Sequence, residues 1–294
     1  MGRRDLLSAE ERRNLFGVPV ECDALARLYT FDRRDLSLIE VRREERNRLG
    51  FAVQLALIRH PGLTLAQCAA YPGANLEPLV DFIARQLDLP STVLADYAAR
   101  EQTMTDHARE IGAALGLRPA VRTDLGMMIE AAASAAWSTD RGAAIVGAVV
   151  AALREKAIML PAPATIERAG IAGRAAARKR VHEALLTGLG PEQLAALDEL
   201  LMLDPETGFT RLTQLRTIPS GPKPDHVREI IDKLGVVRAF GIAQGAGDRV
   251  HPDRLRRLAR EGRLSPSYLI DRYTSARRRA TVVALLIDLE ARLT

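Results

Sequence analysis

The sequence predicts an all-α protein, built of multi-helical bundle domains with helix-turn-helix-like units. Three observations carry the prediction. Helix-favouring runs recur along the whole chain, and no segment alternates apolar and polar residues as a half-buried strand does. Hydrophobic residues make up 47% of the chain, much of it alanine and leucine, while aromatics are only 4%. Helix-start residues also stand repeatedly ahead of apolar-periodic stretches. At 294 residues the chain is too long for one small core, so two helical domains and a tail are expected.

The elements follow in order. Ser8 and Glu11 have capping-box spacing and open a short helix that ends near Gly17-Val18-Pro19. A second short helix over 23–29 turns Leu25 and Leu28 inward. Asp32 is placed to cap a helix over 33–44 that leads into the most distinctive stretch, residues 42–62. The first half of that stretch is basic, with Arg42, Arg43, Arg46 and Arg48 against Glu44 and Glu45. Its second half, from Leu49 to Ile58, is apolar on nearly every face. A helix apolar all round must be wrapped by others, and Pro61-Gly62 stop it. Two readings of the arginines stay open: a phosphate-binding cluster, or a solvated face paired to Glu40, Glu44 and Glu45.

A loop at Tyr71-Pro72-Gly73 precedes a helix over 77–87, and further helices are expected over about 90–97 and 105–115. Alanine-rich helices follow over 124–136 and 140–159, with Asp124 and Asp140 as N-cap candidates and Trp137 as a corner plug. Leu160-Pro161-Ala162-Pro163 marks a domain boundary, because each proline forbids a helix from running through it. Next comes a short helix over 163–169, a turn built on Gly170 and Gly173, and a basic helix over 174–186, the helix-turn-helix pattern. Arg174, Arg178 and His182 share one face of that second helix, and Ala177, Val181, Ala184 and Leu185 the other. An ordinary amphipathic helix with a solvated basic side is the competing reading.

Pro191 begins a helix over 191–203, and residues 204–224 hold one short helix and a proline-glycine loop. The helix over 225–239 is expected to bury Val227, Ile230, Ile231 and Leu234. Pro252 starts a helix carrying arginines 254, 256, 257, 260 and 263. The last helix opens with Arg277-Arg278-Arg279 and turns apolar, so its partner is expected in sequence outside this chain. The domain expectation is thus 1–160, 161–248 with the helix-turn-helix-like unit, and 249–294 as a basic tail.

Three blocks carry a family resemblance. NRLGFAVQLALIRHPG, preceded by TFDRRDLSLIEVRREERN, resembles the N-terminal signature of the Tn-three family of transposases. Residues 210–242 and 249–294 are similar to later blocks of that family, in the same order. Transposases of that family are several times longer and keep an acidic catalytic triad in a C-terminal nuclease-like domain. The resemblance therefore implies the N-terminal, DNA-binding part, recognising terminal inverted repeats, and a chain without catalytic residues of its own.

Charge and chemistry fit a binding role. The net charge of +5 is uneven: +2 over 1–60, −5 over 61–140, +5 over 141–190, −2 over 191–250 and +5 over 251–294. Alternating patches suit a chain that presents chosen surfaces to DNA. Few aromatics argue against base stacking on exposed rings as the main mode. Cys22 and Cys68 have no metal-ligand or disulfide-framework spacing, and the five histidines fall in separate elements. No phosphate-loop or dinucleotide fingerprint follows a strand. No cofactor, metal or membrane span is expected, and the location is the bacterial cytoplasm, at the nucleoid. Candidate DNA-binding residues are Arg42, Arg43, Arg46, Asn47, Arg48, Arg174, Arg178, His182, Arg216, Lys223, Arg277 and Arg278. The partner is double-stranded DNA, with self-association left open. The rival functions are a helical protein-binding scaffold and a nuclease whose acids converge from distant positions.

Overall fold

The computed structural model describes residues 6–70, 74–219, 221 and 223–294. Seventeen α-helices are described, with no strand among the described residues. The expected all-α class is what the chain adopts. Two compact units emerge: residues up to Ala132 with Arg141–Gly173, and Ala133–Asp140 with Arg174–Thr294. The expected loop at Tyr71-Pro72-Gly73, and Ser220 and Pro222 of the proline-glycine loop, lie outside the described residues.

The first unit holds α1 (Ala9–Phe16), α2 (Cys22–Tyr29), α3 (Arg33–Glu40), α4 (Glu45–Arg59), α5 (Leu65–Ala69), α6 (Glu77–Leu87), α7 (Leu94–Ala98) and α8 (Glu101–Ala114). It also holds most of α9 (Asp124–Ala136), all of α10 (Gly142–Glu155) and the start of α11 (Pro163–Leu186). The capping box at Ser8 forms, each partner accepting the other's backbone N–H. Asp32 and Asp35 make a second reciprocal pair at the start of α3. The apolar run of α4 does what its composition demands. Every residue from Leu49 to Ile58 is buried, wrapped by α3, α5, α6, α7 and α8. At Gly50 an added Cβ would lie 2.2–2.4 Å from ring atoms of Tyr97, so only glycine admits α7 this close.

Several boundaries in this unit differ from expectation: α5 has no counterpart among the expected helices, α8 starts at Glu101 rather than 105, and α10 ends at Glu155 rather than 159. One difference bears on the site. The helix expected over 33–44 ends at Glu40, and α4 does not begin until Glu45. Arg42 and Arg43 therefore sit in the intervening turn, where Arg42 docks onto Phe51 and Glu110 instead of extending a helix.

The helix-turn-helix expected over 163–186 is also corrected, because α11 runs unbroken from Pro163 to Leu186 with no turn at 171–173. A glycine inside a helix costs only about 1 kcal/mol relative to alanine, and no proline enforces a break there. Gly170 is a packing gap: a Cβ there would meet Leu6 Cδ2 at 2.5 Å and Val146 Cγ2 at 3.4 Å.

The second unit is built on α17 (Ser275–Leu293). Its residues from Ala280 to Leu286 and Leu289 are buried under α12 (Pro191–Glu199), α14 (Pro224–Ala239), α15 (Pro252–Leu264) and α16 (Ser267–Asp271). The expectation that the last helix finds its partner outside this chain is thus corrected, since it is the core of its own unit. The short α13 (Arg211–Arg216) adds Leu212 and Leu215 to that core. Thr210, Thr213 and Ser267 close a hydroxyl network of 2.8–3.0 Å bonds beside it. On α14 the inward register is Ile230, Leu234 and Val237, whereas Val227 and Ile231 are exposed, against expectation. The helix is covered on one narrow stripe, and its apolar content exceeds what that stripe needs.

Candidate nucleic-acid interface

The twelve sequence-derived candidates fall into two basic clusters and a few scattered positions. The first cluster spans the turn between α3 and α4 and the first turn of α4. Arg42 is only 13% exposed along its side chain; its Nη2 donates to Glu110 Oε1, and its guanidinium lies 4.2 Å above the Phe51 ring. Phe51 meets His107 edge-on, and His107 stacks on Tyr97. The Tyr97 hydroxyl lies 3.1 Å from His107 Nδ1 and accepts from Gln54 Nε2 at 3.1 Å. Gln54 also donates to Met104 O, and its Oε1 accepts from the Leu65 N–H, so this buried amide is fully used. Burial, and then the Arg42 charge, hold the His107 pKa below its ordinary value, while burial pushes the Tyr97 hydroxyl up to about 12.

Of the other four members, Arg46 and Asn47 pair within the cluster. Arg46 bonds Glu44 through Nε at 2.9 Å and Nη2 at 2.6 Å, and Asn47 Nδ2 donates to the same carboxylate at 3.0 Å. Arg43 is exposed, with no ion pair among the described residues. Arg42 Nε, Asn47 Oδ1 and Arg48 Nε are buried without a hydrogen-bond partner among the described residues.

The second cluster lies wholly in the second unit and gathers around one carboxylate. Asp140 was expected to cap the helix that follows, but α10 starts at Gly142 with Arg141 as its N-cap residue. The Asp140 side chain turns to the arginines instead and is only 15% exposed. Arg254 Nη1 lies 2.6 Å from Asp140 Oδ2, and the same guanidinium donates to the carbonyls of Ala136, Trp137 and Thr139. Arg178 reaches Oδ1 at 3.4 Å, and Arg257 pairs with Oδ2. Arg174, one helical turn before Arg178, is within Coulomb range of all of them. Burial would raise the Asp140 pKa; the Arg254 hydrogen bond and the charges of Arg254, Arg178 and Arg257 outweigh it and hold it below the usual value. Burial, and then the neighbouring Arg178, pull the Arg174 pKa down, as expected where cations outnumber anions.

The remaining candidates divide by partner. His182 sits half-buried on the same face of α11; burial and then Arg277 hold its pKa below the ordinary value. Arg277 lies 3.8 Å above the Tyr273 ring and pairs with Glu261. Arg278 shares Asp198 with Arg279, at 3.0 and 2.7 Å, which ties α17 to α12. Arg216 is committed inside the unit, donating to the carbonyls of Gly262 and Ser265 at 3.2 and 2.6 Å, and burial lowers its pKa. Lys223 is exposed just ahead of α14, with no ion pair among the described residues.

The structure brings together two candidates, Arg174 and Arg178, with two arginines that sequence reasoning left unassigned, Arg254 and Arg257. Their signal was their three-residue spacing on the Pro252 helix, which continues to the exposed Arg260. Among the described residues no three His, Cys, Asp or Glu side chains are grouped to hold a metal ion, and no helix is long and apolar enough to cross a membrane.

Comparison with known proteins gives these clusters a context. Residues 6–173 match the domain of unknown function DUF4158. The transposase for transposon Tn501 of Pseudomonas aeruginosa is 36% identical over 288 residues, 98% of this chain. The transposase for transposon Tn3926 of Escherichia coli is 37% identical over 289 residues, and that for Tn21 of Escherichia coli 35% over 289. The chain spans about 29% of the length of each of these relatives.

Proposed function

The chain belongs to the Tn-three family of transposases, and from that premise we propose that it binds double-stranded DNA, with the terminal inverted repeats of a transposon as its specific target. The observation that carries the reading is the second cluster, where three guanidinium groups pair with one carboxylate and a fourth, Arg174, lies within Coulomb range. A cationic surplus on adjoining helices is what a phosphodiester backbone requires. Arg174, Arg178, Arg257 and the exposed Arg260 supply phosphate contacts, with Arg43 and Lys223 as outlying ones. The basic half of α11 is the element offered to a major groove, which admits one helix. The segment serves the recognition step of transposition rather than strand chemistry.

A gel-shift of a labelled transposon end against scrambled DNA, repeated over a salt series, tests this. Cognate DNA binds more tightly, and affinity for both DNAs falls log-linearly with salt. The Arg178→Ala/Arg257→Ala variant has a salt slope shallower by about 2, one unit for each phosphate left unneutralised. Magnesium or manganese leaves the bound DNA uncut. Absence of binding to either DNA at low salt overturns the reading in favour of the helical scaffold, and cutting overturns the non-catalytic assignment.

A further inference from the structure

Asp140 is partnered beyond what its charge requires. Arg254 alone balances it: that guanidinium is nearly buried, lies 2.6 Å from Oδ2, and spends its other donors on the carbonyls of Ala136, Trp137 and Thr139. The Asp140–Arg254 pair is therefore electrically complete and belongs to the frame of the unit. Arg178 and Arg257 reach the same carboxylate from the solvent side, with side chains 49% and 61% exposed. They are surplus cations drawn onto an oxygen pair that is already neutralised.

A carboxylate and a phosphodiester offer a guanidinium the same thing, two oxygens sharing one negative charge. We propose that Asp140 is an internal counter-ion that stands in for a DNA phosphate in the free chain, holding Arg178 and Arg257 inward and restraining phosphate binding. The proposal rests on the DNA-binding reading above and adds its regulation. Engaging DNA requires both arms to leave Asp140. The ion pairs broken in that exchange are partly exposed and weak, so the restraint is modest. It acts on backbone contacts, which every sequence offers, and leaves base contacts alone. Asp140 therefore lowers affinity for cognate and random DNA by the same factor.

The test removes the counter-ion without changing net charge. Asp140→Asn with Arg254→Gln replaces the buried pair by two neutral amides, so that neither charge is left buried without its partner. Binding to cognate and random DNA is measured at one fixed salt concentration, with circular dichroism as the check on fold. Affinity for both DNAs rises together, roughly two- to thirtyfold, the range two exposed ion pairs imply. The rise disappears when Arg178→Ala and Arg257→Ala are added. Where the double variant fails to fold, Asp140→Asn alone is read in the same way, its gain likewise vanishing once the two arms are removed. A folded variant with unchanged or weaker binding overturns the proposal, as does a gain that persists without the arms. A wild-type chain that binds neither DNA would instead overturn the underlying reading, so the two failures are separable.

Discussion

The two basic clusters are both rich in arginine and differ in what their arginines have left to give. At the turn before α4, Arg42 is spent on Glu110 and Phe51, and Arg46 on Glu44, which also holds Asn47. Around Asp140, one carboxylate serves Arg178, Arg254 and Arg257, with Arg174 alongside. In the first cluster the two ion-paired arginines, Arg42 and Arg46, each have an acid of their own and work as local fastenings, while among the described residues Arg43 has no ion pair and Arg48 Nε is buried without a partner. The second has a surplus and is the better counterpart for a polyanion. The number of arginines in a stretch is thus a poor guide to phosphate affinity; their excess over the acids they touch is the relevant quantity.

The sharpest way to break this division of labour is to loosen the first unit alone. Gly50→Ala drives a methyl group into the Tyr97 ring, which is itself fixed by Gln54 and His107. Overpacking of this kind costs about 3 kcal/mol when the neighbour cannot yield. The variant melts earlier, while its salt slope for DNA stays near that of the wild type. A slope that collapses with the melting temperature would return the phosphate contacts to the first unit.

A smaller effect separates fastening from binding within one residue type. Arg42→Ala removes a half-shielded cation–π contact and an ion pair, worth about 1–2 kcal/mol of stability together. It leaves the salt slope unchanged, whereas Arg178→Ala lowers the slope by about 1 and barely alters stability. Arg43→Ala, at an exposed position with no ion pair among the described residues, is the one change in the first cluster expected to reduce the slope. If Arg42→Ala lowers the slope as Arg178→Ala does, the contrast between the clusters fails.

What the sequence made legible follows from which interactions are local. The capping box at Ser8 and the buried run of α4 could be read because both are written within a few residues of one another. The break at 41–44 could not, since it depends on Arg42 folding onto Phe51 and onto Glu110 of another helix. Gly170 looked like a turn because glycine permits one; its need for space beside Leu6 and Val146 comes from tertiary packing. Asp140 looked like a cap for the same local reason, and its arginine partners lie 38 to 117 residues away. On the candidate surface, therefore, the residue types were visible and their pairings were not. Pairing decides which arginines are free to bind.

The smallest expected effect is a pH dependence that touches the two clusters differently. His107 is half-buried between Phe51 and Tyr97 and lies near Arg42, so its proton is disfavoured in the folded chain relative to an ordinary histidine near 6.5. A depressed histidine contributes stability that is fully present above about pH 6.5, where neither state is protonated. That contribution is lost as pH falls, because the unfolded chain then takes up the proton more readily. Asp140 is a depressed acid, so its ion pairs persist through the same interval and weaken only below the usual carboxylate range. Between pH 7.5 and about 5.5, the wild-type melting temperature therefore falls more than that of His107→Gln, whose site cannot titrate. The contribution of Arg178 and Arg257 to the DNA salt slope stays constant across that interval. Parallel melting curves for the two proteins would remove His107 as the source, and an Arg178/Arg257 contribution that changes with pH would show that the second cluster also titrates there.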